Sequence, residues 1–222
     1  MEMRAAFHKK LREIQYEIMV MGSMCNKAII RSIEALKYRN IDLAQHIIDD
    51  DQSINKKRFE IEERCIELIA TQQPMATDLR IIAAILNIIT EIERIGDYAV
   101  GIARIVILIG GEPPLKPLVD MPLMAEKTTD MLNRSLDAFI HRNAEAAKKI
   151  AKEDDMLDNL YDQVFRELLV IMAEDPKTIT RATRLIWIAH NLERAADRVT
   201  NICERVVFIV TGKMEEINSS NY

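Results

Sequence analysis

A chain of 222 residues with 49% hydrophobic residues and a formal net charge of −5 has the composition of a folded globular protein. The negative net charge argues against nucleic acid as a main partner, because nucleic-acid phosphates are bound by clustered lysine and arginine. Only six glycines and six prolines are present, and half of these twelve residues lie between positions 110 and 122. The long segments on either side predict an all-α fold.

The first half of the chain predicts three antiparallel helices. Apolar residues recur every three or four positions over residues 4–39, over residues 41–71 and from residue 77 to about residue 109. This spacing is typical of a helix face buried in a bundle, and short polar breaks separate the three segments. We therefore predict a first three-helix bundle over residues 1–110.

The second half repeats the first. Residues 111–122 are predicted to be a Gly/Pro-rich linker, and residues 123–222 a second three-helix bundle whose polar tail frays. At an offset of 103, Ser32, Ala35, Arg39, Asn40, Ala44, Ile47 and Asp51 recur as Ser135, Ala138, Arg142, Asn143, Ala147, Ile150 and Asp154. At an offset of 100, Ile88, Glu93, Arg94, Asp97 and Ile102 recur as Ile188, Glu193, Arg194, Asp197 and Ile202. The sequence thus predicts two tandem repeated bundles with six long helices.

The third helix of each half carries two carboxylates four residues apart. Glu93 and Asp97 interrupt an apolar stripe in the first half, and Glu193 and Asp197 take the matching positions in the second. Like charges at this spacing weaken a helix, and their partial burial is costly unless a cation or hydrogen-bond donors compensate. We therefore expect a cation or hydrogen-bond donors between the members of each pair.

Acidic residues on the preceding helix complete each set. Asp51 occupies a core position in the first half, and Asp154 and Asp158 lie four residues apart in the second. The fourth position of the first set is Asn55, a neutral oxygen ligand. Oxygen ligands on facing helices are typical of hard cations and of iron or manganese sites. We expect two metal sites, the second binding more strongly because it has four carboxylates.

Four segments resemble the PhoU family of phosphate-signalling regulators, and the resemblance spans nearly the whole chain. They are ERIGD at 93–97, ERAAD at 193–197, NICE at 201–204 and GEPPLKP at 111–117. The resemblance implies a duplicated three-helix bundle that binds clusters of metal ions, of which iron, manganese, magnesium and zinc are candidates. It implies as motif ligands Glu93, Asp97, Glu193 and Asp197.

The two halves depart differently from the family pattern, in which Asn-Ile-Ala-Glu usually follows the motif. The second half keeps Asn201, a further ligand candidate, and Glu204. The first half has Gly-Ile-Ala-Arg at 101–104, which removes a potential ligand and adds a positive charge. This difference also favours a stronger second site.

The resemblance further implies a regulator that is not an enzyme and has no catalytic residues. Such a protein is a cytoplasmic homodimer that couples the ATPase subunit of a phosphate ABC transporter to a phosphate-sensor histidine kinase. It represses phosphate-starvation genes when phosphate is plentiful. It would meet the membrane only through these partners. The absence of an apolar signal region at the start of the sequence and of any CxxC pair agrees with a reducing, cytoplasmic location.

Two alternatives remain from the residues themselves. One is a carboxylate-bridged di-metal enzyme of the helical-bundle type, which would want Glu followed three residues later by His. Here His190 precedes Glu193 by three residues, so that order is reversed. The other is a purely structural bundle whose carboxylates are ion-paired with Arg94 and Arg194.

Overall fold

The computed structural model describes residues 2–217 of the chain, and the side chains of residues 4–217. Within this range the structure is helical and contains no strand, which confirms the all-α fold class. Its α-helices are α1 Glu2–Tyr38, α2 Ile41–Gln72, α3 Thr77–Ile109, α4 Asp120–His141, α5 Ala144–Ala151, α6 Asp154–Glu174 and α7 Ile179–Thr211, with a short 3-10 helix at Pro176–Thr178. In this range no helix combines the length and the apolar character needed to cross a bilayer.

The predicted fifth helix is interrupted after α5, although its apolar pattern continues. Residues 152–153 form a turn in which the Glu153 N–H donates to the Ile150 carbonyl at 3.0 Å. The chain re-enters a helix at Asp154. Asp154 therefore lies in the first turn of α6, where unpaired backbone N–H groups favour a negative charge.

The two halves repeat local backbone detail as well as sequence. Asn40 accepts a hydrogen bond from the backbone N–H three residues on at 2.9 Å, and Asn143 does the same at 3.0 Å. Each asparagine thus caps the helix that follows it. The residues before them, Arg39 and Arg142, have positive φ angles of 55° and 52°. The offset of 103 therefore relates structurally equivalent positions.

The halves pack closely against each other, α3 against α7 and α1 against α4. A glycine lies at each of these two helix contacts. A Cβ atom at Gly22 of α1 would overlap the Leu136 side chain of α4. A Cβ atom at Gly101 of α3 would lie 2.8 Å from Oδ1 of Asn191 on α7. The absence of a side chain at these two positions lets the helix backbones approach.

The linker and the tail lie against the bundles. Helix α4 begins at Asp120, within the segment predicted as linker, and the division into residues 1–110, 111–122 and 123–222 stays a prediction. Lys116 forms ion pairs with Asp120 and with Glu167. After α7, the backbone N–H of Ile217 donates to Glu204 at 3.1 Å. The rest of the tail predicted to fray, residues 218–222, lies outside the described residues.

Candidate metal centre

The second half brings three of its predicted carboxylates together on α6 and α7. Glu193 is only 4% exposed, and Asp158 and Asp197 are half-buried. Burial, followed by the charge of Asp197, raises the pKa of Glu193 to about 7. The same two causes, in the same order, raise the pKa of Asp158. The charge of Asp197 therefore destabilises the charged forms of both Glu193 and Asp158.

Asp154 lies one turn before Asp158 and is 5% exposed. The pKa of Cys203 on α7 is raised to about 12, chiefly by burial, and the charge of Asp154 adds a small part of this rise. Asp154 is thus buried against α7, as its core position in the sequence predicted.

A histidine and a tyrosine adjoin the second cluster. Nδ1 of His190 lies 3.4 Å from Oε2 of Glu193, one turn away on α7. The ring centroid of Tyr161, on α6, lies 5.9 Å from that of His190. Burial, and next the charge of Arg194, lower the pKa of His190, so the imidazole is neutral near pH 7. The spacing of three residues, which brings His190 and Glu193 onto one face of α7, was visible in the sequence.

Arginines occupy part of the predicted ligand set. Nη1 of Arg194 makes a short ion pair with Oδ2 of Asp197. Asn201 is directed elsewhere, since its Nδ2 donates to Glu91 of α3 at 3.1 Å. Arg198 lies 3.4 Å from the same Glu91 oxygen. The structure therefore places Asn201 at the contact between the two halves.

The first half brings together Asp51 of α2 with Glu93 and Asp97 of α3. Nδ2 of Asn55 donates to Oδ2 of Asp51 at 2.8 Å. The other oxygen, Oδ1 of Asp51, is buried and accepts no hydrogen bond from the described residues. Burial, and after it the charge of Asp97, raise the pKa of both Asp51 and Glu93. The duplicated arrangement of carboxylates is therefore present in three dimensions.

Basic side chains offset the charge of the first cluster. The charge of Arg58 opposes the rise in the pKa of Glu93, and that of Arg104 opposes the rise at Asp51. At the offset of 103, Arg58 corresponds to Tyr161 of the second cluster. An internal guanidinium thus stands in the first half where the second has a neutral phenol.

The carboxylates of the two clusters are suitable ligands for a cation, although their side chains are not arranged around a single point. Among residues 4–217, no group of three or more His, Cys, Asp or Glu side chains is arranged to hold a metal ion. Glu193 nevertheless has a buried oxygen, Oε2, that accepts no hydrogen bond from the described residues. A cation would compensate it, since buried charge is stable only when paired. Binding would require side-chain rotation and release of Asp197 from Arg194.

The cysteines take no part in these clusters as thiolates. Cys25, Cys65 and Cys203 are buried and form no disulfide with one another. Burial raises the pKa of Cys25, whose thiol donates to the Ile92 carbonyl at 3.2 Å. A thiol held in its neutral form is a poor metal ligand.

Comparison of the sequence with models of known protein families assigns the chain to one family. The model of the PhoU domain matches the chain twice, over residues 18–106 and 121–206. The chain belongs to the PhoU family. The phosphate-specific transport system accessory protein PhoU homolog of Clostridium acetobutylicum is 39% identical over 216 residues, covering 97% of this chain and 99% of that protein. The Escherichia coli accessory protein PhoU is 34% identical over 207 residues, covering 93% of this chain and 86% of that protein.

Solved structures agree with this assignment. The crystal structure of PhoU from Pseudomonas aeruginosa superposes with a TM-score of 0.87 at 33% identity, covering 93% of this chain and all of that one. The phosphate transport system regulatory protein PhoU from Streptococcus pneumoniae superposes with a TM-score of 0.88 at 29% identity, covering 94% and 99% of the two chains. The resemblance seen in the motifs and the duplicated bundle fold are therefore confirmed.

Proposed function

We propose that this protein is an accessory regulator of a phosphate-specific transport system and not an enzyme. The observation that carries the proposal is its 39% identity to a protein of that name over almost the full length of both chains. Similarity of this extent includes both halves, the linker and both carboxylate motifs. The relatives' names describe accessory and regulatory proteins, which gives no support to the di-metal enzyme considered as an alternative.

In this proposal the protein acts in the cytoplasm as an adaptor and negative regulator. It forms a homodimer and links the ATPase subunit of the transporter to a phosphate-sensor histidine kinase, so that starvation genes are repressed when phosphate is abundant. Long helices with solvated outer faces offer extended surfaces for two partners. Large apolar side chains lie exposed on the outer helices, among them Phe59 and Ile66 on α2 and Leu169 and Val170 on α6.

The carboxylate clusters serve as metal sites in this proposal. Glu193, Asp197 and Asp158 would hold a divalent or trivalent ion between α6 and α7, and Asp51, Glu93 and Asp97 would hold one between α2 and α3. Such an ion supplies positive charge and ties the two helices together. Of the second set, Glu193 is the most buried and would bind on the inner side of the ion, while the half-exposed Asp158 and Asp197 would close around it.

The second site would bind more tightly than the first. Both sets lie near guanidinium groups, Arg194 and Arg198 in the second and Arg58 and Arg104 in the first, but the second set has the carboxylate of Asp158 where the first has the neutral Asn55. Affinity for a cation rises with the number of negatively charged ligands. The first site would therefore exchange its ion more readily.

A deletion and complementation experiment tests the proposed function. Cells lacking the gene should express a reporter of a phosphate-starvation gene even in high phosphate, and the intact gene should restore repression. Affinity capture of the protein from cells grown in high and in low phosphate should recover the transporter ATPase subunit and the sensor kinase. Normal repression in the deletion strain would contradict the regulatory role.

A further inference from the structure

A cavity of about 210 Å³ opens between α1, α2 and α3, next to the first carboxylate cluster. Lys27 and Ser53 are exposed at its rim, and Arg31 is half-buried beside them. Ala28 and Gly96 form part of its inner wall, and Asp51 lines it as well. A Cβ atom at Gly96 would lie 3.5 Å from the buried Oδ1 of Asp51, so this oxygen borders the space left by the glycine.

The second half fills the equivalent space with side chains. At the offset of 103, Ala28 corresponds to Met131, which is 0% exposed. At the offset of 100, Gly96 corresponds to Ala196, which is also buried. The two halves agree in their helix caps and core positions. At these two positions they therefore differ in side-chain volume and not in backbone fold. The first half thus keeps open a space that the same fold can close.

The charges around the two equivalent places also differ. Arg134 of the second half is paired twice: it donates to both oxygens of Glu153 at 2.8 and 2.5 Å, and to Asp130 at 2.9 Å. Arg31, its counterpart, pairs with Asp50 at 2.9 Å. The position of Asp130 is taken by Lys27. The first half therefore replaces a negative charge with a positive one at the rim of the cavity.

We propose that this cavity binds inorganic phosphate together with a divalent cation held by Asp51. The charged and hydroxyl donors of the lining select a small tetrahedral oxyanion, and the choice of phosphate rests on the proposed function. Lys27 and Arg31 supply charged donors and Ser53 a hydroxyl, which are common phosphate ligands. The volume lies below the roughly 300 to 1,000 Å³ of pockets for drug-sized ligands, which fits an ion with a few waters and not a nucleotide.

The cation is needed because the cavity also contains carboxylates. Asp50 and Asp51 would repel a phosphate dianion that approached alone. A cation on Asp51 reverses this effect and can bind a phosphate oxygen directly. Magnesium and similar ions are typically held in this way, by one or two carboxylates together with the phosphates of a ligand. Phosphate binding should therefore require the metal.

Titration calorimetry on the full-length protein tests the site, with inorganic phosphate as the titrant and Mn²⁺ as the cation. Ala28→Met introduces the residue that closes the equivalent space, and Lys27→Asp introduces the charge found there. Each should weaken phosphate binding by about tenfold or more, the typical effect of losing a charged contact. Lys9→Asp, the same charge change elsewhere on α1, should leave the affinity unchanged. Removing Mn²⁺ with EDTA should weaken binding at least as much.

A second measurement reports the geometry. Bound Mn²⁺ should shorten the ³¹P relaxation time of phosphate in the wild type and much less in Ala28→Met. If Ala28→Met fails to fold, the exposed Lys27→Asp decides the question alone.

The site would be overturned by no phosphate binding to the Mn²⁺-loaded wild type, by equal affinity in wild type and Lys27→Asp, or by equal affinity with and without Mn²⁺. Competition by ATP at the affinity of phosphate would contradict the size argument and overturn it too. The deletion reporter described above decides the proposed regulatory function separately. Loss of phosphate binding with normal repression, or the reverse, therefore shows which of the two proposals fails.

Discussion

Nδ1 of His190 lies 3.4 Å from Oε2 of Glu193, a buried oxygen that accepts no hydrogen bond from the described part of the chain. The pKa of Glu193 is raised to about 7 by burial and by Asp197, while burial lowers the pKa of His190. Near neutral pH the imidazole is therefore neutral and does not compensate the carboxylate. The second cluster is a place where the fold holds an acid in an unfavourable environment.

Glu193 should make the metal-free protein less stable as the pH rises. Its pKa in the fold, about 7, lies above its ordinary value of 4.5, so the folded state binds the proton more tightly. Its contribution to stability is complete below pH 4.5 and is lost as the pH rises through 7. Glu193→Gln should remove this dependence, so urea unfolding in EDTA should show the wild type losing stability between pH 5 and pH 8 relative to the variant.

The size of this effect is on the order of 3 kcal/mol at most, since one unit of pKa corresponds to about 1.4 kcal/mol. Glu126→Gln, on the exposed face of α4, is the matched control and should keep the wild-type dependence on pH. Parallel curves for wild type and Glu193→Gln would show that Glu193 titrates normally in the fold.

Asp197→Ala should weaken Mn²⁺ binding more than Asp97→Ala does. Asp197 belongs to the set with four carboxylates, whereas the set of Asp97 has three carboxylates and the neutral Asn55, and arginines lie near both sets. Loss of one carboxylate from the more strongly charged set should reduce affinity by on the order of tenfold, since affinity follows ligand charge. Calorimetry and metal analysis after dialysis provide the measurement.

Asp137→Ala is the control for this comparison, because Asp137 is exposed on α4 and its neighbour there is His141. It should retain the wild-type metal content. Equal losses from Asp97→Ala and Asp197→Ala would refute the ranking of the two sites.

Gly22→Ala should destabilise the protein more than Gly101→Ala. The new methyl at position 22 would overlap Cδ1 of Leu136, and because that side chain is buried, a rotation to avoid the overlap would push it against other core side chains. Such overpacking costs about 1 to 3 kcal/mol, more than the gain of about 1 kcal/mol from replacing a helical glycine. At position 101 the methyl meets Oδ1 of the half-buried Asn191, which can rotate at the cost of its hydrogen bond to the Trp187 carbonyl, so the two effects should nearly cancel.

Thermal unfolding of the two alanine variants measures this difference. Gly111→Ala is the control, since a Cβ atom there would meet nothing within 4 Å. Greater loss of stability from Gly101→Ala would mean that the α3 and α7 contact, and not the α1 and α4 contact, is the tighter one.

Much of this fold could be predicted from the sequence because the second half of the chain repeats the first. The recurrence of Asn40 as Asn143 predicted the same break in both halves, and both residues are helix caps. The recurrence of Asp51 as Asp154 predicted matching acidic positions next to α3 and α7. In the first half, apolar spacing and the short polar breaks placed the helix ends within a few residues.

Features that depend on tertiary contacts were not predicted. The break at residues 152–153 is hidden because the apolar spacing passes through it, and the ion pair of Glu153 with Arg134 forms only after α4 has packed. The same holds for the position of Asn201, which meets Glu91 of the other half. For the cavity beside Asp51, the sequence shows one relevant difference, Ala28 in the first half and Met131 at the offset of 103 in the second. This difference predicts a cavity only when the packing of the surrounding core is known.

In the proposed function the second cluster serves regulation by binding a metal, and the double variant Glu193→Ala/Asp197→Ala tests this role most directly. The variant should fold, because the apolar seams of α7 remain and a like-charge pair worth about 0.2 to 0.5 kcal/mol is removed. Glu126→Ala/Asp130→Ala makes the same two changes at the same spacing on the exposed face of α4.

The measurement is expression of a phosphate-starvation reporter in high phosphate, with melting curves of both purified double variants with and without Mn²⁺. We predict a derepressed reporter for Glu193→Ala/Asp197→Ala from a folded and abundant protein, and full repression for Glu126→Ala/Asp130→Ala. Full repression by a folded Glu193→Ala/Asp197→Ala protein that no longer binds metal at this site would contradict the account.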